Sequence, residues 1–338
     1  MSAASLQALP SFPHDRKTLE RFRGKCVAVF RPQLHRFDGL RLTWQRSHEH
    51  YPLQRSLPAN GERLTKQVLL TGATGFVGRH VLRELAERGI AACPVVRTGT
   101  ENRLADAVGI ERILSTDALF SESAEWWTQA LAGIDTIIHV AWYAEPGKYL
   151  TSPLNLDCLT GTLAMAKGAA AAGVRRFVGI GTCFEYELTG RPLTIDTPLE
   201  PLTPYAGAKA ATFMALSQWL PHNGVEFAWC RLFYLYGEGE DERRFVPYLR
   251  RCLAAGQRAD LTQGHQVRDF LDVSEAARMI VDASVSTAQG AVNICSGIPV
   301  TIREFAERIA DENGRRDLLN FGGRAENLVD PPYVVGVR

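Results

Sequence analysis

Tyr205 and Lys209 stand four residues apart in "LTPYAGAKAATFMALSQWL". Thr203 is a good N-cap and Pro204 a good first helical residue, so the pair belongs to the opening turns of a helix. A spacing of four puts both side chains on one face. An ammonium beside a phenol favours the phenolate, which predicts a tyrosine of lowered pKa. Such a group can hand a proton to a reacting oxygen or take one from it. Tyrosine and lysine at this spacing are common on protein surfaces, so the pair needs a partner. Thr182 supplies one, because it closes the apolar run "RRFVGIGT" upstream, where a hydroxyl at a strand end could hold the same oxygen. The two residues after it are Cys183 and Phe184. A thiol and a phenyl ring offer neither an acid nor a base at neutral pH. Glu185 comes next and would point to the other side if the strand continued, where it would serve structure.

Those groups need a scaffold, and its clearest sign is "TGATGFVG". It follows the short apolar run "QVLL" and precedes "RHVLRELAERG", whose apolar residues recur at helical spacing up to Gly89. Gly72 permits a tight turn, Gly75 lets a pyrophosphate approach the backbone, and Gly78 lets helix and strand pack closely. The loop from Thr74 through Gly75, Phe76 and Val77 to Gly78 then offers helix N–H groups to phosphates. The spacing is one residue longer than GxGxxG, and glycine turns of purely structural kind are common, so the strand–turn–helix context carries the assignment.

"IAACPVV" reads as a second strand, with Pro94 awkward inside it. Arg97 ends this strand, with Arg103 nearby, where an acid would bind the ribose hydroxyls of NAD. A guanidinium there favours a 2′-phosphate and hence NADP(H), with NAD(H) the alternative; an exposed loop arginine is the bland reading. Asp117 ends a third strand and could accept from an adenine amine, or cap a helix. "IDTIIHVAW", "VRRFVGIG" and "VEFAWCRL" read as further strands, and "PLNLDCLTGTLAMAKGAAAAG" as a long helix. Alternating strands and helices predict an α/β fold, a Rossmann-type doubly wound parallel sheet over residues 67–236. Amphipathic helices from residue 237 to 338 predict a smaller, mostly helical substrate lobe beside it. A cleft between the two is the expected site.

The bulk numbers narrow the function class. The chain has 338 residues, 46% apolar and 22% charged, which fits a globular protein of about two folding units. A net charge of +1 gives no pull toward nucleic acid or anionic lipid, and no apolar run suits a membrane helix. Seven cysteines without a CxxC pair argue for a reducing cytoplasm, and against a disulfide scaffold or a metal site. Residues 1–66 carry 12 Lys/Arg against 5 Asp/Glu and little periodicity. This segment reads as an extension of unknown role: solvated, a fusion remnant, or the product of an early start codon, with a basic arm for a partner less favoured.

Taken together and in order, "TGATGFVG", "IIHVAW", "GTCFEY", "YAGAK", "RLFYLYGEGE" and "VRDFLDV" resemble the extended short-chain dehydrogenase/reductases that modify nucleotide sugars, the epimerase/dehydratase group. The resemblance runs from about Gln67 to the carboxyl terminus. It implies catalytic roles for Thr182, Tyr205 and Lys209, with Lys209 also on the nicotinamide ribose and Ala141 lining the nicotinamide site. It implies substrate contacts for Arg231 and for Arg268, the latter on a diphosphate, against the plain reading of Arg268 as the partner of Asp269 or another acid. Asn155 would support the site through its amide. Trp142, Tyr143 and Tyr149, in the loop 142–153, would wall the sugar, or simply pack. Two helices, those near Asn155 and Tyr205, would form a four-helix interface in a homodimer. The chain stops at "PPYVVGVR", where relatives run on through another short helix, so an incomplete lobe is an expectation. In 4,6-dehydratases of the group the threonine is followed by aspartate and glutamate, so Cys183 and Phe184 argue against dehydration. A ketoreductase acting on a 4-keto-6-deoxy sugar nucleotide and a 4-epimerase remain, with Arg97 favouring the reductase. A dinucleotide sensor without activity is disfavoured by the presence of all three reacting groups.

Overall fold

The computed structural model describes residues 67–326 and 330–338. The basic segment 1–66 lies outside the described residues. Largely apolar runs of three to seven residues form a parallel sheet in which both faces are covered, as such strands require. Its strands are β1 (Val68–Thr71), β2 (Ala92–Arg97), β3 (Leu114–Thr116), β4 (Thr136–His139), β5 (Arg176–Thr182), β6 (Glu226–Leu232) and β11 (Gly290–Ile294). They lie in the order β11-β6-β5-β4-β1-β2-β3. The order reverses beside β1, so β1 and β4 part at their carboxyl ends and open a crevice there.

Alternation along the strands feeds two cores. Val68 and Leu70 face α1 (Phe76–Glu87) and α6 (Val273–Val285), where Val81, Leu85, Ile280 and Val281 are fully buried. Leu69 faces the other layer, built from α2 (Ala124–Ala130), α3 (Leu154–Ala171) and α4 (Pro204–His222). Trp127, Phe177 and Trp229 fill that layer. Pro94 finds a position without cost. Ala92 bonds the 109–111 segment through both its amide and its carbonyl, and residue 94 faces the same edge two residues on. There the chain has left the bridge Ala92↔Ile110 and the β3 ladder begins only at Val95↔Leu114, so no ladder bond is lost.

The second lobe holds α5 (Phe245–Ala254) and α7 (Ile302–Glu312) with three small sheets. β7 (Tyr234–Tyr236) pairs with β10 (Phe270–Asp272), and β8 (Ala259–Leu261) with β13 (Leu319–Phe321). β9 (Val267–Arg268) lies between β12 (Val300–Thr301) and β14 (Tyr333–Val334). Phe270 and Phe305 stack at 4.0 Å in its core. Asp269 is fully buried and accepts from the amides of Ser296, Gly297 and Gly336 and from the Ser296 hydroxyl, tying β10 to the end of β11 and to the terminal segment.

The boundary expected at residue 237 does not cut the fold into two consecutive pieces. α6 and β11 return to the large sheet, with Gly290–Ile294 paired against Ala228–Leu232. The lobe is therefore built from residues 234–272 and from those after β11. A five-residue strand between polar turns gives little periodicity to read, which is why residues 290–294 leave no strand signal in the sequence.

Candidate active site

β1 ends at Thr71 and the chain turns at Gly72, whose φ is 71°. The Gly75 amide donates to the Gly72 carbonyl at 2.9 Å and closes the turn. A β-carbon on Gly72 would stand 2.9 Å from the Ala141 nitrogen, and one on Gly78 would run into the Gly72 carbonyl oxygen. The glycines thus bring turn, helix and the end of β4 together. Gly75 caps α1 without any side chain, so the first amides of the helix keep their hydrogen-bonding capacity. Gly72, Gly75, Phe76, Val77 and Gly78 line a cleft of about 690 Å³. Bare helix amides at the end of such a cleft fit a dinucleotide pyrophosphate. Thr74 is half-exposed and does not line it. Arg97 ends β2 with its side chain exposed, away from the cleft wall. Asp117 is exposed after β3 and caps no helix: Ala118 and Ser123 hold the two nearest cap positions.

Thr182, Tyr205 and Lys209 come from two elements and meet in the same cleft, with Ala141 and Trp142. Thr203 caps α4 by accepting from the Ala206 amide, and Pro204 takes the first turn. Thr182 and Tyr205 line the same cleft, close enough for the threonine to favour the ionised phenol. The Tyr149 ring meets that of Tyr205 edge-on at 4.8 Å. Lys209 is buried; its ammonium donates to the Ile180 carbonyl at 2.5 Å and sits 3.7 Å over the Trp142 ring.

The charge balance differs from the expectation for a phenol next to an ammonium. Burial raises the Tyr205 pKa, and only the Thr182 contact acts in the other direction. Lys209 itself is pushed down to about 7 by burial, against the pull of Glu185. The reason is geometric. The lysine is turned to a carbonyl and an indole, and desolvation of the phenol outweighs any distant charge. His139, on β4 behind Lys209, is held neutral with its pKa lowered to about 3 by burial and by the lysine's charge. Its Nδ1 lies 2.9 Å from the Thr71 hydroxyl and its Nε2 2.9 Å from that of Thr162, which in turn donates to Cys158. The bonds run one way, so Nε2 carries the proton. The Thr71 oxygen also accepts from the Ala141 amide at 3.1 Å, which fixes the cleft floor.

The stretch after Thr182 does not continue as a strand. Residues Cys183–Glu185 form a single 3₁₀ turn capped by Thr182. Cys183 is buried and its thiol pushed up to about 12, while Phe184 lines the cleft. The turn sends Glu185 back beneath the site. Fully buried, it accepts from the Thr182 amide at 2.8 Å, from Trp229 Nε1 at 3.0 Å and from Arg231 Nε at 2.7 Å. Glu185 serves structure, as its position one residue past the acid-base pair implies, though it gets there by a turn and not by strand alternation.

Arg231 is thereby accounted for and does not line the cleft. Its guanidinium is buried between Tyr186 and Phe213, each 4.5 Å away, and bonded to Glu185 and to the Tyr186 hydroxyl. Arg268 is also buried, 5.1 Å from the Tyr234 ring and 2.7 Å from Asp330, so it holds another acid and not Asp269. Asn155 donates to the Tyr149 and Ser152 carbonyls and accepts from Trp142 Nε1 at 2.8 Å. It supports the wall from behind. Tyr143 turns to Glu145 and stays out of the cleft, whereas Trp142 and Tyr149 wall it. Tyr234, Glu240, Arg244 and Phe270, to which the sequence assigns no role, also line the cleft. The glycines around Glu240 in "YGEGED" are the one local signal of a fixed turn there.

Removing the Glu185 side chain strands a buried guanidinium and two further donors. Glu185→Ala should therefore lower stability by about 3–5 kcal/mol in urea denaturation. A loss under 1 kcal/mol would show that the carboxylate is not the anchor of this corner.

The comparisons with known proteins agree with this geometry. Residues 68–295 match the NAD dependent epimerase/dehydratase family. The dTDP-6-deoxy-L-talose 4-dehydrogenase (NAD(+)) of Aggregatibacter actinomycetemcomitans is 25% identical over 249 residues, 73% of this chain and 90% of that protein. In fold, the UDP-N-acetylglucosamine 4-epimerase of Methanobrevibacter ruminantium matches with a TM-score of 0.71 at 21% identity, covering 80% of this chain and 89% of that one. A dTDP-glucose 4,6-dehydratase of Streptomyces venezuelae, solved with NAD bound, matches with a TM-score of 0.68 at 22% identity, covering 80% and 88%. The chain belongs to the NAD-dependent epimerase/dehydratase family, as an enzyme of the extended short-chain dehydrogenase/reductase type.

Proposed function

We propose that the protein reduces the 4-keto group of a 6-deoxy sugar nucleotide. The observation that carries this reading is the pair Cys183 and Phe184 beside Thr182: a buried, protonated thiol and a phenyl ring stand where dehydration would need an acid and a base. What remains is one proton donor, Tyr205, and one hydroxyl, Thr182, sharing an oxygen site. A nicotinamide dinucleotide bound along the glycine turn would supply the hydride. Thr182 holds the carbonyl oxygen and Tyr205 gives it a proton as the carbon gains its hydrogen, leaving an alcohol and a phenolate that solvent reprotonates. A phenol kept neutral by burial is in the right resting state to donate. Lys209, close to its titration point, can stabilise the phenolate while it exists. The talose 4-dehydrogenase joins a 6-deoxy sugar to 4-position redox chemistry in its very name, which supports the substrate class. A 4-epimerase would use the same three groups, oxidising C4 and returning hydride to the other face.

The cofactor reading keeps two parts. NAD(H) or NADP(H) suits the glycine turn, and the exposed guanidinium of Arg97 at the end of β2 favours the 2′-phosphate. We also propose a homodimer. α3 and α4 pack side by side and leave Leu154, Leu156, Met214 and Trp219 exposed, an apolar face that a second copy would cover. Six free cysteines among the described residues fit a reducing, cytoplasmic setting. No described helix is long and apolar enough to cross a membrane.

NADPH absorbance with a 4-keto-6-deoxy sugar nucleotide should fall stoichiometrically, and Tyr205→Phe should cut turnover on the order of 10²–10⁴-fold. Interconversion of two sugar epimers without net absorbance change would favour the epimerase, and release of water from dTDP-glucose would overturn both. Arg97→Ala should weaken NADPH about tenfold relative to NADH; an unaltered ratio removes the argument for NADP(H). By sedimentation the protein should be a dimer that Leu156→Glu with Met214→Glu converts to monomer, and a monomeric wild type sinks the interface.

A further inference from the structure

The cleft wall carries two carboxylates, on the loop between β7 and α5. Asp241 is already satisfied: Arg243 grips it at 2.9 Å through both Nε and Nη2. Glu240 is not. Its Oε2 is buried and has no hydrogen-bond partner among the described residues. A buried carboxylate oxygen left unpaired carries its full desolvation cost, which a donor bound in the cleft would offset.

The loop that presents Glu240 is built to hold one place. The Glu240 amide donates to the Gly237 carbonyl at 3.3 Å, closing a turn whose Gly237 φ is 140°. The Glu238 carbonyl lies 2.9 Å from His80 Nε2, and the Glu238 carboxylate pairs with Arg83 at 3.3 Å. Both partners belong to α1, so the turn is clipped to the helix that follows the glycine loop. At its other end lies Arg244, within electrostatic reach of both Glu240 and Tyr149. Tyr149 in turn packs against Tyr205. Glu240 thus lines the same cleft as Tyr149 and Tyr205. Arg268 packs 5.1 Å from the Tyr234 ring, with Cys183 and Tyr149 in electrostatic reach of Tyr234.

We propose that Glu240 is a sugar-recognition residue, whose carboxylate accepts a hydrogen bond from a ring hydroxyl of the nucleotide-bound sugar. The proposal deepens the reading of the site as one for a sugar nucleotide and rests on it. Burial brings the Glu240 carboxyl up to about 7, opposed by Arg244, by the Gly237 amide and by Arg250, and reinforced by Asp241. On the facing α1, the charged groups are Arg79, which overlies Gly239, and Arg83, already paired with Glu238. Binding a hydroxyl donor favours the ionised carboxylate. The sugar's contribution to affinity therefore grows as pH rises through about 7 and levels off above it.

The test separates sugar from nucleotide and from dinucleotide. Affinities for UDP, UDP-glucose, dTDP and dTDP-glucose are measured by calorimetry with saturating NADH at pH 6, 7 and 8, and NADH affinity is measured separately. In the wild type the sugar-bearing ligand should gain over the bare diphosphate, by a factor that rises up to about tenfold from pH 6 to 8. Glu240→Ala should erase that gain about tenfold while leaving UDP, dTDP and NADH binding unchanged. Glu240→Gln, which keeps size and a hydrogen-bonding amide, should retain part of the gain and lose its pH dependence. An undiminished gain in both variants overturns the proposal and leaves the sugar-nucleotide reading standing. So does a parallel loss of NADH affinity, which would make Glu240 a cofactor contact. Failure of all four nucleotides to bind overturns both readings together.

Discussion

A carboxylate with no access to water sits under the reacting groups, and the corner around it is arranged on its terms. Placing Glu185 and Arg231 both out of water costs several kcal/mol per ion, offset only by close pairing and further hydrogen bonds. Glu185 meets that demand with a strand-end amide, an indole N–H and a guanidinium. Room for them comes from missing atoms. A β-carbon on Gly181 would collide with Trp229 Nε1 and crowd the Glu185 carboxylate, so the "GIGT" stretch of β5 lets the indole of β6 lie across it. One consequence is catalytic. The amide that Glu185 accepts from is that of Thr182, so the ion pair sets the backbone of the residue whose hydroxyl faces Tyr205.

The same carboxylate shapes the electrostatics above it. Lys209 is desolvated enough to titrate near neutrality, and Glu185 is what keeps it from falling further. His139 answers from the other side, buried neutral between two hydroxyls, so it adds no charge to repel the lysine. Were the histidine protonated, two cations would share one dry compartment. The threonines at 71 and 162 prevent this by satisfying both ring nitrogens in the neutral form, one as donor and one as acceptor. Glu185 and His139, neither of which lines the cleft, thus bear on the charge of the lysine that does.

Local chemistry made the nucleotide half of this fold legible. Apolar strands bounded by glycine, an N-cap followed by proline, and a helix closing at Gly89 are decided within a few residues, and the structure reproduces them. Contacts between distant segments were not legible. Arg231 and Arg268 are of a type that binds anions, and nothing nearby says that Glu185 and Asp330 hold them. A spacing of four correctly put Tyr205 and Lys209 on one face of a helix. It carried no information about burial, and burial reversed the expected direction of the phenol's shift. The strand at 290–294 was too short to announce itself. The 3₁₀ turn at Cys183–Glu185 replaced strand alternation because Thr182 and Glu185 form a capping box, a pattern present in the sequence as T-x-x-E.

The two sides of the cleft differ in what they ask of the chain. On the dinucleotide side, recognition relies on backbone amides and on side chains being absent, so only glycine-like positions are constrained and much else can vary. On the lobe side, contact falls to individual side chains, Tyr234, Glu240, Arg244 and Phe270, each carried by a loop or a short strand. A lobe assembled from small sheets and held by a single buried aspartate, Asp269, can change such residues without disturbing the large sheet. The reaction class is therefore written in the helix start and in the stretch after β5, which the scaffold holds rigidly. Positions that the scaffold leaves free are the ones able to vary with substrate, so a fold shared with a dehydratase and an epimerase does not by itself set the reaction.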